Sequence, residues 1–444
     1  MDIMGILPQF GNVMWTLAAF VVALSVIVAV HEYGHYIVAR WSGIHADVFS
    51  LGFGPVVYSR VDKRGTKWQI AAIPLGGYVK FMGDADAASG KDGEVASSLS
   101  AKELRRTMHG APLWARFATV SAGPLFNFIL SIFIFTGIFW SSGVVTSPPV
   151  IASLHALPFE GITLKPGDKL LEIEGHGYEA EDISEFLAAL EPAALITYTV
   201  ERDGQKIEAQ GPMPSPAIIT SVAVGSAGAK SGLVVGDVIV SADGTDVFRF
   251  QELIGIVSAS EGNPVDLTVW RDNEFLDFSI APTRRDIPLP DNSFETRWLI
   301  GITNGLFFEP TTERQSFTTA VSLGVERTYD IAALSISGLY HMATRKISSC
   351  NMSGPIGIAK ASSQMASAGI VAFIGFLGLL STAVGLFNLF PVPVLDGGHL
   401  VFFAYEAVVG KPPSNTALRV MMTVGLVLIL SLMAFALSND ILCP

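Results

Sequence analysis

Four stretches of this chain are long and apolar enough to cross a hydrocarbon core of roughly 30 Å, which takes about 20 apolar residues of helix. They run over Val13–Val30, continuing through a polar run to Arg40, and over Phe117–Trp140, Ile370–Leu395 and Val420–Leu437. The second and third hold no charged residue, and the fourth is interrupted only by one Thr and one Ser. The chain as a whole is 50% hydrophobic and 15% charged, with a mean hydropathy of +0.48, far from a soluble average. Lipid satisfies no backbone group, so spans of this kind must be helices. The expected fold class is a polytopic α-helical membrane protein with four transmembrane helices.

Basic residues set the expected orientation. No Lys or Arg precedes Arg40, so the first stretch lacks the basic start of a signal peptide and its removal is not expected. Residues 1–12 and 438–444 also lack Lys and Arg. Between the first two spans lie Arg40, Arg60, Lys63, Arg64, Lys67, Lys80, Lys91, Lys102, Arg105 and Arg106, and between the last two lie Lys411 and Arg419. Both of these loops are expected to be cytoplasmic, with both termini and the long segment 141–369 outside. A formal charge of −12 argues against nucleic acid as a partner. Cys350 and Cys443 are too few for a disulfide scaffold or a Cys-rich zinc site. Both are expected on the outer side, which leaves a bond between them open.

Residues 141–369 change character and contain an internal repeat. "LKPGDKLLEIEG" (164–175) and "LVVGDVIVSADG" (233–244) each read as a Gly-Asp turn, a short buried strand and an acidic-Gly hairpin turn. A helical pattern and a further strand follow each. The unit resembles the PDZ domain in two tandem copies, 141–215 and 216–285. "SAGAKSGLVVGD" (226–237) makes the second the better match, whereas "FEGITLKPGD" (159–168) departs from the pattern. Residues 286–369 read as a linker with an amphipathic helix on the outer membrane surface and a turn-rich bridge at 351–360.

The first span runs into "VHEYGHYI" (30–37). Positions i and i+4 share a helix face, so His31 and His35 can aim two imidazoles at one ion, while Glu32 can reach a water on that ion. Zinc suits such a set, since three protein ligands plus water leave the open position that catalysis needs. Ionisable groups within a span are costly unless they line a cavity and pair with something. A third ligand is expected from "NLFPVPVLDGGHL" (388–400), at the matching depth of the third span. Asp396 is preferred and His399 competes with it. Pro391 and Pro393 are expected to break the helix there, and Asn388 to donate to substrate or an oxyanion.

These motifs, together with "GPLFN" (123–127) in the second span, resemble the site-2 protease family of intramembrane zinc proteases, in its regulator of sigma-E protease branch with tandem PDZ domains. The resemblance implies His31, His35 and Asp396 as zinc ligands, Glu32 as general base, and Asn127 and Asn388 as substrate contacts. "VFSLGFGPVVYSR" (48–60) and "IPLGGYVKF" (73–81) resemble the family's membrane-re-entrant β-hairpin, where Gly52 and Gly54 would admit another backbone. The architecture implied is 1–140 with two spans and this hairpin, the two PDZ copies, the linker 286–369, and 370–444 with the last two spans. The activity implied is cleavage of single-span membrane substrates, such as a pre-cut anti-sigma factor and signal-peptide remnants, in a bacterial inner membrane. A non-proteolytic zinc protein and a membrane-anchored PDZ adaptor are the rival readings.

Overall fold

The computed structural model describes residues 3–84, 100–223, 225–289 and 291–443; Lys91, counted above among the loop charges, lies outside them. The chain divides into two units. One comprises Met1–Ile138, Phe317–Ser337 and Met352–Cys443, and the other Phe139–Ser316 and Gly338–Asn351. Cys350 and Cys443 are both disulfide-bonded.

In the first unit, four helices are long and apolar enough to cross a membrane: Met14–Trp41, Leu113–Ser142, Ile370–Asn388 and Thr416–Leu442. The second of them is the hub. A Cβ added at Gly34 of the first span would stand 2.6 Å from the Ala122 carbonyl oxygen, and one at Gly385 of the third would stand 3.0 Å from that of Pro124. Small residues thus let both neighbours close on the second span, the usual means of packing helices in lipid. Ser381 Oγ, from the third span, donates to the Asn127 carbonyl at 2.8 Å. Ala23, Ile27, Ile134 and Leu377 fill the seam.

The third span stops at Asn388 rather than Leu395. Pro391 and Pro393 withhold the amides a continuing helix needs, and a new helix, Asp396–Val409, begins with the acid itself. Arg116, in the first turn of the second span, grips Glu406 of this new helix with two bonds of 2.9 and 2.5 Å. That clamp ties the helix carrying Asp396 to the second span.

The amphipathic stretch forms a helix, Phe317–Ala343. Its buried face of Ala320, Gly324, Thr328 and Ile331 does not lie on lipid. At Gly324 it meets Thr136 and the Ile132 carbonyl of the second span. The bridge at 351–360 is also mostly helical, as part of Pro355–Ser367. Pro at the first position suits a helix start, and Asp440 accepts from the amides of Gly354, Ile356 and Gly357 at 2.8, 2.9 and 3.1 Å. A remote carboxylate supplies the cap that the local sequence lacks.

The loop after the first span is more than a hairpin. Its strands β1 (Ala46–Val61) and β2 (Lys67–Phe81) each bend and pair twice. Ser50 lies opposite both Gln69 and Tyr78, and Leu51 opposite both Ile70 and Gly77, while Tyr58 also pairs with Ile70. The segment around Ser50 is therefore flanked on both sides, and Gly77–Phe81 forms an edge. β1 turns at Gly52 and Gly54, whose φ of +88° and +83° suit glycine. The backbone that closes on Gly52 is the chain's own, since a Cβ there would lie 2.8 Å from the Ile73 carbonyl oxygen.

The second unit carries the repeat as two four-stranded antiparallel sheets of matching order. One runs His176–Gly177, Lys169–Ile173, Ile196–Arg202, Gln205–Gly211, and the other Thr245–Asp246, Val238–Ala242, Val265–Arg271, Glu274–Ile280. Each is pinned by the Asp of its Gly-Asp turn. Asp168 binds Arg202 Nε and Asp237 binds Arg271 Nε, both at 2.6 Å, and each guanidinium also donates to a loop carbonyl, that of Thr163 or Gly232. The linker boundary at 286 needs correction. Ile302–Asn304 pairs with Ile219–Val222, and Phe308–Pro310 pairs with Ile151–Leu154. Phe307 and Phe308 fill the first core and Ile300 the second. Each repeat is completed by a strand from far along the chain, a pairing that no local pattern announces.

Candidate metal centre

His35 lies six residues before the end of the first span at Trp41, about 9 Å inside it at 1.5 Å per residue. One helical turn places His31 Nε2 and His35 Nε2 3.2 Å apart. The break after Asn388 and the restart at Asp396 bring a carboxylate to the same point. Asp396 Oδ2 stands 3.1 Å from His31 Nε2 and 3.5 Å from His35 Nε2. Among the described residues this is the one group of three or more His, Cys, Asp or Glu whose donor atoms converge. His399, the competitor for the third position, is not in it.

Three such donor atoms at this spacing need a proton or a metal ion among them. Asp396 Oδ2 is buried and has no well-aligned hydrogen-bond partner. A tetrahedral ion with ligand bonds of about 2.0–2.1 Å holds its ligand atoms about 3.3 Å apart, and the three observed separations straddle that value. Space for an ion also exists where the second span crosses. A Cβ at Gly123 would fall against His35 Nε2 and 2.8 Å from His31 Nε2. The donor set, its spacing and this glycine cradle fit zinc.

The far side of each imidazole is held. His35 Nδ1 meets the Thr119 carbonyl at 2.8 Å, so it carries the proton and leaves the Nε2 lone pair free. His31 Nδ1 meets the fully buried Asn127 amide at 3.2 Å. The nitrogen of that amide faces His31, and its Oδ1 has no partner. With the amide turned over, Oδ1 accepts from Nδ1–H and frees the His31 Nε2 lone pair, the usual support for a metal-bound imidazole.

Glu32 points to the edge of the β-sheet. The Val79 amide donates to its carboxylate, and a Cβ at Gly77 would lie 3.2 Å from Glu32 Cγ. A bare backbone edge therefore lies directly beside the carboxylate.

Comparison with known proteins agrees with this geometry. The model of peptidase family M50 matches residues 19–432. The chain belongs to peptidase family M50. Among similar proteins is one of Agrobacterium fabrum named "Putative zinc metalloprotease", 35% identical over 440 residues that cover 98% of both chains. Another is the "Regulator of sigma E protease" of Haemophilus influenzae, 32% identical over 463 residues that cover 97% of this chain and 99% of that one. The site-2 protease resemblance read from the sequence is thus borne out.

Within this M50 peptidase the other expected site residues are placed unevenly. Asn127 faces His31 rather than open space. Asn388 bonds to the Val384 carbonyl of its own helix at 3.0 Å and stays outside the cluster. Gly52 and Gly54 sit at the β1 bend, whereas the edge beside Glu32 is formed around Gly77. Thr119, Gly123, Gly77 and Val79 were not singled out from sequence. A backbone carbonyl, a backbone amide and two missing side chains leave no side-chain signature. Only the glycines within "GPLFN" and "PLGGY" offered a hint.

Proposed function

We propose that this M50 peptidase is an intramembrane zinc endopeptidase that cuts single-span membrane proteins, with His31, His35 and Asp396 as ligands and Glu32 as general base. The observation that carries the reading is the convergence of three donor atoms at tetrahedral spacing within helices long enough to span lipid, with Glu32 alongside. Zinc, when bound, supplies a Lewis acid that activates water and polarises the scissile carbonyl. Glu32 takes a proton from the attacking water and delivers it to the leaving nitrogen, as the C–O bond forms and the C–N bond breaks. Gly77–Phe81 offers an edge on which an unwound substrate segment can pair beside Glu32. A cavity of about 430 Å³ between the first span and the sheet, lined by Ala29, Val30, Tyr33, Leu51, Tyr58 and Ile70, suits an apolar segment arriving from lipid.

The substrate class is an anti-sigma factor already shortened outside the membrane, or a signal-peptide remnant. The two repeats are PDZ domains that hold back bulky substrates. Their side of the membrane is the periplasm, as the basic-residue pattern indicates, and disulfide bonding of Cys350 and Cys443 suits that oxidising compartment. The test compares wild type with Glu32→Gln on a co-expressed single-span substrate, measuring zinc alongside. Retained zinc with lost cleavage is expected. Equal cleavage by both would sink the protease reading, and absence of zinc from both would favour a PDZ adaptor.

A further inference from the structure

The first span ends on a basic cavity that the peptidase chemistry does not use. It holds about 320 Å³ and is lined by Tyr36, Arg40, His45, Arg64, Thr66 and Arg106. These residues come from three segments: the last turn of the first span, the β1–β2 sheet with its turn, and the stretch ahead of the second span. Three arginines line this space. The arginine ion pairs in the structure are those of Arg116, Arg202, Arg271 and Arg297, so none of the three is paired among the described residues. Carboxylates stand at the rim but not within salt-bridge distance of the three arginines: Asp47 lies 3.7 Å from His45 Nε2, and the Tyr36 hydroxyl reaches Asp62 at 3.5 Å. Asp62 accepts from the amides of Arg64 and Thr66 and from Trp68 Nε1, and Glu103 caps Ser100. Arg40 donates only to the neutral Tyr36 hydroxyl, at 3.1 Å. Three arginines around one cavity, none with a carboxylate in salt-bridge reach, suit an anion.

Position narrows the choice of anion. Trp41, next to Arg40, is 72% exposed, and Trp114 at the start of the second span is 61% exposed. Exposed tryptophans at helix ends mark the headgroup level of a bilayer. Arginine forks match phosphate oxygens bidentately, and basic pockets at helix ends are typical headgroup sites. We propose that this cavity binds the phosphate of an acidic phospholipid, which bridges the end of the HEYGH helix to the sheet whose edge meets Glu32.

The test uses the full-length protein in mixed micelles, with native mass spectrometry to count retained lipid and with zinc content as a check on the fold. The probes are phosphatidylglycerol, phosphatidylcholine and inorganic phosphate. Wild type should retain phosphatidylglycerol over phosphatidylcholine by at least about tenfold. Arg64→Gln and Arg106→Gln should each weaken retention about fivefold without altering zinc. Arg64→Lys, which keeps the charge and loses the fork, should fall between. No lipid preference in wild type, or an unchanged preference with both Gln substitutions combined, would overturn the proposal. Displacement of the lipid by millimolar inorganic phosphate would overturn the lipid assignment in favour of a soluble anion. If zinc is lost in the Gln variants, the Lys variant at normal zinc decides.

Discussion

Asp396 and the paired aspartates of the repeats show two ways to bury a carboxylate. Asp168 and Asp237 are fully buried, yet each has a guanidinium on two sides and a backbone amide besides. They are complete as they stand. Asp396 faces two imidazole nitrogens, and its Oδ2 lacks an aligned donor. A buried group left wanting a cation points to a function, whereas one supplied with its cation by the chain points to the fold.

The difference predicts which readout each acid controls. Asp396→Asn should abolish zinc retention and cleavage, while the thermal unfolding of the repeats stays at its wild-type temperature. Gly123→Ala should have nearly the same effect, since its methyl would occupy the space in front of both imidazole nitrogens. Zinc measured by elemental analysis on purified protein checks both. An Asp396 variant that keeps stoichiometric zinc would erase the distinction and return His399 to consideration.

The converse applies to the repeats. Asp237→Ala removes the acceptor of two Arg271 bonds and of the Val234 amide and should cost about 1–3 kcal/mol of the second repeat's stability. Zinc content should not change. Replacing both partners by apolar residues of similar volume, as in Asp237→Leu with Arg271→Met, should recover most of that loss. Chemical denaturation followed by Trp270 and Trp298 fluorescence would read it. If the double substitution is as unstable as the single one, the pair does more than satisfy itself.

How far the sequence spoke for these sites depended on distance along the chain. Four spans, the histidine pair and the Gly-Asp repeat are local patterns, legible because helix period, hydropathy and turn chemistry act over a few residues. Asp396 was reachable because topology put it at the depth of His31. The strands Ile302–Asn304 and Phe308–Pro310 were read as linker because each is three residues long and its partner lies far upstream. The start of Pro355–Ser367 was read as a bridge because its cap is Asp440, far downstream. The supports of the metal donors were hidden for another reason. A Thr119 carbonyl, a Val79 amide and a missing Cβ at Gly123 act through backbone, which every residue type shares.

Asn127 is the subtlest element of the comparison, being a neutral residue that touches the proposed ligand His31. The family resemblance implies a substrate contact, yet the side chain is fully buried and its amide meets His31 Nδ1. A supporting residue of this kind typically changes metal affinity about 10–100-fold when removed. Asn127→Leu should therefore weaken zinc binding by about that factor, measured by competition with a chelator in the absence of substrate. Asn127→Asp keeps an oxygen that accepts from Nδ1–H, so it should lie closer to wild type. A leucine variant with wild-type zinc affinity and a raised KM would instead place Asn127 on the substrate, because only a side chain that touches His31 alters the metal site when no substrate is present.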